Sequence, residues 1–173
     1  TPADVSKLKI RTYEDALVNT YWGSIGTASS IPGSEIYSAL QTKTVDAMEF
    51  HASGVYAFRL NEVADYFLPL NWQCTMGTTL SMPLELWESL PADIQDAIDK
   101  AADAYEETQY TMIKDEDAKA REMLESLGMN VTELTDSDLA AWKETAVALT
   151  DYFKEYVGAD VYDAYMAAVE QAK

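Results

Sequence analysis

Leu8-Lys9-Ile10-Arg11 alternates apolar and basic side chains, the two-residue period of a strand with one face buried. Beyond it, Glu14 to Trp22 sets Ala16, Leu17 and Tyr21 at helical spacing, with Gly23 or Gly26 available to end the helix. Thr27 to Ile31 predicts a second strand and Pro32-Gly33 a turn, after which Ser34 caps a short helix through Gln41. Val45 to Phe50 predicts a third strand and Val55 to Ala64 a helix; Tyr66-Phe67-Leu68 and the Thr-rich run Cys74 to Met82 are extended. On the amino side, Thr1-Pro2-Ala3-Asp4 reads as a helix start rather than a signal peptide, with Thr as N-cap and Pro in the first turn. Strands separated by short helices predict an α/β layer with a largely parallel sheet over residues 1–90.

The second half is helical. Between Pro91 and Gly128 there is neither Gly nor Pro, and Ile94, Ile98, Ala101, Tyr105, Thr108 and Met112 keep the 4,3,4,3 spacing of one helix face. One helix over residues 91–128 has a length of about 55 Å, whereas a globule of this size is about 40 Å across. Such a helix either kinks or runs along a second lobe. Residues 129–173 follow, with a short extended piece at Met129 to Leu134, a helix from Ser137 to about Tyr156 capped by Asp136 or Ser137, and a last helix from Val161 to Ala172 after Gly158.

Composition removes several classes of function. The 173 residues carry 12 Lys and Arg against 30 Asp and Glu, a formal net charge of -18. Without a basic cluster to neutralise phosphates, nucleic acid is not a partner. The lone Cys74 allows no internal disulfide, and the lone His51 no His-rich or Cys-rich zinc site. No apolar run approaches the roughly 20 residues of a membrane span. No Gly-x-Ser-x-Gly elbow, Gly-x-Gly-x-x-Gly loop or Walker pattern occurs, so nothing specific points to catalysis.

Three places hold candidate chemistry. Arg11 ends its strand near the carboxyl edge of the sheet, where open α/β sheets place their ligand crevice. In so acidic a chain an anion needs a fixed local cation, and the guanidinium fork meets a carboxylate with two parallel hydrogen bonds. The structural alternative pairs Arg11 with Asp15 or another neighbour. In Val45-Asp46-Ala47-Met48-Glu49-Phe50-His51, Glu49 is an acceptor or hard-cation ligand, Phe50 an apolar wall and His51 a donor; equally, Phe50 is core, Glu49 caps the next helix and His51 is a satisfied loop residue. Trp72 lines a pocket or packs, and Cys74 is a small buried group.

Together, Leu8-Lys9-Ile10-Arg11, Ser34-Glu35-Ile36-Tyr37-Ser38-Ala39-Leu40-Gln41-Thr42, Val45-Asp46-Ala47-Met48-Glu49, Glu62-Val63-Ala64-Asp65-Tyr66 and Leu86-Trp87-Glu88-Ser89-Leu90-Pro91-Ala92-Asp93-Ile94-Gln95 resemble, in order and spacing, the solute-binding proteins of tripartite ATP-independent periplasmic (TRAP) transporters, of the dicarboxylate-binding (DctP) type. The resemblance implies a periplasmic-binding-protein-like α/β lobe followed by a long lobe-spanning helix and C-terminal helices that pack on the lobes. It covers only the second lobe of a two-lobed clamshell, so a first lobe, and the signal peptide removed on export, would lie outside this chain.

The resemblance also implies a non-catalytic periplasmic protein that binds a small organic acid and delivers it to membrane permease subunits. Arg11 falls on the arginine that clamps the substrate carboxylate. Glu49 falls on the glutamate beside the ligand, which in some members helps hold a metal ion, here Na or Ca; no other cofactor is implied. Phe50 stands where many members have Asn or Trp, and Trp72 on a pocket-side position. His51 and Ala52 depart from the usual Pro or Val-Gly, and Gly33 replaces the aromatic of sugar-acid binders, so a sialic-acid-like ligand is not expected. The alternative is a non-catalytic assembly module in which Arg11 is structural; an enzyme of the same fold is a third option.

Overall fold

The computed structural model describes residues 1–70 and 80–171. In chain order the first elements are α1 (Pro2–Val5), β1 (Lys9–Thr12), α2 (Ala16–Ile25), β2 (Thr27–Ser30), α3 (Ile36–Gln41) and β3 (Ala47–Met48). They are followed by α4 (Ala52–Ala57), β4 (Tyr66–Phe67), α5 (Leu84–Ser89) and α6 (Ala92–Ser126), then β5 (Asn130–Val131), α7 (Asp136–Val147), α8 (Thr150–Val157) and α9 (Ala159–Gln171). No helix among the described residues is long and apolar enough to cross a membrane.

The chain divides into two units. The first comprises Thr1–Glu49, Glu62–Ala64 and Thr132–Lys173. Its sheet has the order β2-β1-β3, and both pairings are parallel, with Arg11 opposite Ser29 on one side and Met48 on the other. The predicted strands and intervening helices are therefore present, with shifted ends. α2 starts at Ala16 because the Asp15 carboxylate accepts the Val18 N–H at 2.9 Å, the N-cap geometry that sets a helix start. Ser34 lies inside a single 3-10 turn, Gly33–Glu35, rather than capping α3. β3 is shorter than predicted: Val45 is buried, and Asp46 is taken up by the Lys9 backbone N–H at 2.9 Å.

The C-terminal helices build on the same unit. Thr135, rather than Asp136 or Ser137, caps α7, forming a reciprocal capping box with Asp138. The predicted single helix is two, because Leu149, with φ -105° and ψ 11°, leaves helical conformation between α7 and α8. Trp142 is 1% exposed and meets Trp22 edge-on, ring centres 6.1 Å apart. Tyr21 Oη lies 2.7 Å from Thr145 Oγ1, and Thr20 donates to Tyr152 Oη at 3.0 Å, so α2 is bonded to both α7 and α8.

The second unit is Phe50–Asn61 and Asp65–Val131, with β4 and β5 paired in parallel. α4 begins at Ala52, three residues before the predicted start, and packs against α6. α6 is continuous for 35 residues, about 52 Å at 1.5 Å per residue. Ala120 and Leu124 near its C-terminus are buried, whereas Ile94, Tyr105 and Met112 of the predicted apolar stripe are exposed. Gly128, at φ +88°, then turns the chain towards β5, a backbone conformation that glycine adopts without steric cost.

Candidate functional site

All three strands of the first unit run the same way, so their carboxyl ends share one edge of the sheet, the edge at which α/β sheets bind ligands. Arg11 occupies that edge on β1, Ile31 follows the end of β2, and Glu49 follows the end of β3. Backbone bonds hold them in place: Ile31 N–H donates to Thr12 O at 3.0 Å, and Glu49 N–H to Arg11 O at 3.2 Å. Arg11 Nε–H donates to Ile31 O at 2.8 Å. Among the described residues this is the one hydrogen bond of the guanidinium, and its two NηH2 groups keep the fork that matches a carboxylate.

Arg11 is only 3% exposed. The alternation in Leu8 to Arg11 predicts one buried face, but β1 is the central strand and Ile10, Arg11 and Thr12 are all buried. Burial pushes the guanidinium below its ordinary pKa, while the Glu49 carboxylate and then Tyr13 act in the opposite direction. Burying a charge is costly without a counter-charge, and Glu49 supplies one in part. Asp15, the counter-ion considered from spacing, instead caps α2.

Glu49 is half-buried, with Oε2 shielded from solvent. Its field extends to two phenols: burial first, and Glu49 next, raise the Tyr13 pKa, and burial first, with Glu49 adding, pushes Tyr21 up to about 12. Behind the strand, Thr12 Oγ1 donates to Asn19 Oδ1, and Asn19 Nδ2 donates to Ser30 Oγ at 3.0 Å, fixing the end of β2 to α2. The carbonyl of Ile31 is the group that residue types could not indicate, since every residue carries one. Tyr13 carried a weak signal, an aromatic two residues beyond Arg11.

In the second unit Phe50 and His51 are adjacent and stacked, ring centres 4.8 Å apart at 19°. Phe58 meets Phe50 edge-on at 5.5 Å. His51 precedes α4 in extended backbone, as a satisfied loop residue would, and its Nδ1 accepts the Gly54 N–H at 2.9 Å and so caps α4, the role considered for Glu49. That bond assigns the proton of a neutral ring to Nε2. Trp72 and Cys74 lie outside the described residues. No group of three or more His, Cys, Asp or Glu gathers among the described residues to hold a metal ion.

A model of the family of bacterial extracellular solute-binding proteins, family 7 (DctP), matches residues 1–156. The chain belongs to this family. The C4-dicarboxylate-binding periplasmic protein DctP of Rhodobacter capsulatus is 29% identical over 174 residues, which cover 98% of this chain and 51% of that protein. The ectoine-binding periplasmic protein TeaA of Halomonas elongata is 28% identical over 163 residues, covering 91% of this chain and 47% of TeaA. The chain thus spans about half the length of the curated family members it matches. A TRAP periplasmic solute-binding protein from Shewanella oneidensis, solved with bound succinate, superimposes with a TM-score of 0.82 at 24% identity, over 97% of this chain and 55% of that one. That family member establishes the fold: an α/β, periplasmic-binding-protein-like architecture.

Proposed function

We propose that the chain is the ligand-clamping half of a non-catalytic periplasmic protein that captures a small organic acid and delivers it to the permease of a TRAP transporter. The observation that carries this is the placement of Arg11: a buried guanidinium at the carboxyl edge of a parallel sheet, anchored through Nε on Ile31 O at 2.8 Å. Fixing Nε aims the NηH2 fork in advance, so a carboxylate meets it without reorganisation. Each charge-assisted hydrogen bond formed there is worth about 1.5 to 3 kcal/mol. Glu49 partly offsets the cation before the acid arrives, and it accepts a hydrogen bond from the hydroxyl or ammonium group of an acid that has one. Phe50, next in sequence after Glu49, is an apolar contact of the acid in this reading, and His51 holds the Phe50 ring.

A first lobe, supplied by the rest of a longer protein, covers the exposed face of α6 at Ile94, Tyr105 and Met112 and closes on the acid. The share of each family member that the chain spans supports this, as does the mostly solvent-facing 35-residue helix. Glu49 is the group to which a Na or Ca ion carried in with the acid would bind. It is a single carboxylate beside a guanidinium, a poor fit to a cation on its own, so no step here depends on one.

The near-complete burial of Arg11 favours a second reading, an assembly module in which Arg11 is structural. A thermal-shift screen of the whole protein against mono- and dicarboxylates separates the two. A ligand that binds only the folded protein raises Tm by an amount that grows with the logarithm of its concentration over Kd, so at least one acid stabilises a binding protein, whereas an assembly module responds to none.

A further inference from the structure

Glycine is a poor helix residue, yet Gly54 lies in the first turn of α4 and is buried. Its backbone is not in the left-handed region, so conformation does not demand glycine there; space does. A Cβ at this position would collide with Phe50 Cε1 and stand 2.7 Å from both Phe50 Cδ1 and His51 Cε1. The missing side chain is the room in which Phe50 lies flat on His51, with Phe58 against its edge. The Gly54 N–H simultaneously holds His51 through Nδ1 at 2.9 Å, so one residue fixes both rings of the stack.

We propose that Gly54 is a positioning residue that sets the orientation of the Phe50 ring, and through it the shape of the aromatic wall an acid meets. The second part rests on the acid-binding role given to Phe50 above. Any side chain at position 54 turns Phe50 off His51, so the identity of this one residue selects between flat and displaced wall geometries.

The test uses the whole protein and four variants' worth of data: parent, Gly54→Ala, Phe50→Ala and the double variant. The His51 ring-proton NMR signals, assigned by their loss in His51→Gln, report the stacked Phe50 ring. Gly54→Ala is expected to move those signals towards their positions in Phe50→Ala, and to weaken succinate binding by calorimetry about tenfold, or 1.4 kcal/mol. In the Phe50→Ala background the same substitution leaves succinate affinity unchanged, and the His51 signals shift there only through the new methyl group 2.7 Å from Cε1. Unmoved His51 signals in Gly54→Ala overturn the proposal, as does an affinity loss that persists without the Phe50 ring. Should Gly54→Ala fail to fold, recovery of folding in the double variant supports the proposal and continued misfolding overturns it. Phe50→Ala with parental succinate affinity, or a parent that does not bind succinate, removes the wall role of Phe50 instead; the NMR signals then decide the placement of the ring by Gly54 alone.

Discussion

Arg11, one residue before the end of β1, and Glu49, one residue past the end of the adjacent parallel strand β3, are joined through the backbone, the Glu49 N–H donating to the Arg11 carbonyl at 3.2 Å. The sheet register therefore brings a guanidinium and a carboxylate to one edge regardless of how their side chains turn. Their charges act on each other, with Glu49 supporting the charged form of Arg11 against its burial.

Glu49→Gln removes a negative charge from the approach to Arg11. For succinate, which has no N–H and at neutral pH no O–H to donate, the affinity rises several-fold, the scale of one partly screened charge interaction. For an acid that donates to Glu49 the affinity falls. Calorimetry with both kinds of acid checks this, and a loss for succinate would mean that Glu49 binds it through a cation.

Chelation addresses that cation separately. With one carboxylate beside a guanidinium and no three-residue ligand cluster among the described residues, acid affinity is expected to be the same in EDTA and in calcium, and in sodium and potassium buffers. A drop on removing either ion assigns it to Glu49 and the bound acid.

Tyr21 gives the fold a predictable alkaline limit. Burial raises its pKa from 10.0 to about 12. Below pH 10 the phenol is protonated in both folded and unfolded chains and its contribution to stability is complete. Between pH 10 and 12 the unfolded chain loses the proton first, so stability falls as pH rises. Tyr21→Phe flattens that part of the urea-denaturation pH profile, and at pH 7 it costs about 0.5 to 1.5 kcal/mol for the lost bond to Thr145. An unchanged alkaline slope would contradict the assignment.

The strand at Leu8 to Arg11 was legible because a two-residue period survives in four residues, and the long helix because no Gly or Pro interrupts residues 92–126. What was hidden depends on contacts made only on folding. The alternation at Arg11 could not show that β1 is the central strand of its sheet and buried at Ile10, Arg11 and Thr12 alike. Helix ends turned on which side chain reaches a backbone N–H: Asp15, His51 and Thr135 do so, and a histidine cap carries no strong preference to read. The break between α7 and α8 falls at Ala148-Leu149, two good helix formers, so tertiary packing overrides local propensity there. Of the site, Arg11 and Glu49 were legible as types, but the Ile31 carbonyl that anchors the guanidinium was not.

Trp142 tests whether the C-terminal helices belong to the same core as the sheet. It is 1% exposed and packs edge-on against Trp22 of α2. Trp142→Ala is expected to lower the unfolding free energy by about 3 to 5 kcal/mol, as for other buried aromatic truncations. A loss below about 1 kcal/mol in urea denaturation would show that α7 contributes little to that core.

The most direct measurement is succinate affinity of the whole protein, by calorimetry, for the parent, Arg11→Lys and Arg11→Ala. Two charge-assisted hydrogen bonds at about 1.5 kcal/mol each predict a loss of about a hundredfold in Arg11→Ala. Arg11→Lys, which keeps the charge without the fork, falls between. Folded variants that bind succinate as tightly as the parent would contradict the clamp and leave Arg11 a structural residue of the sheet.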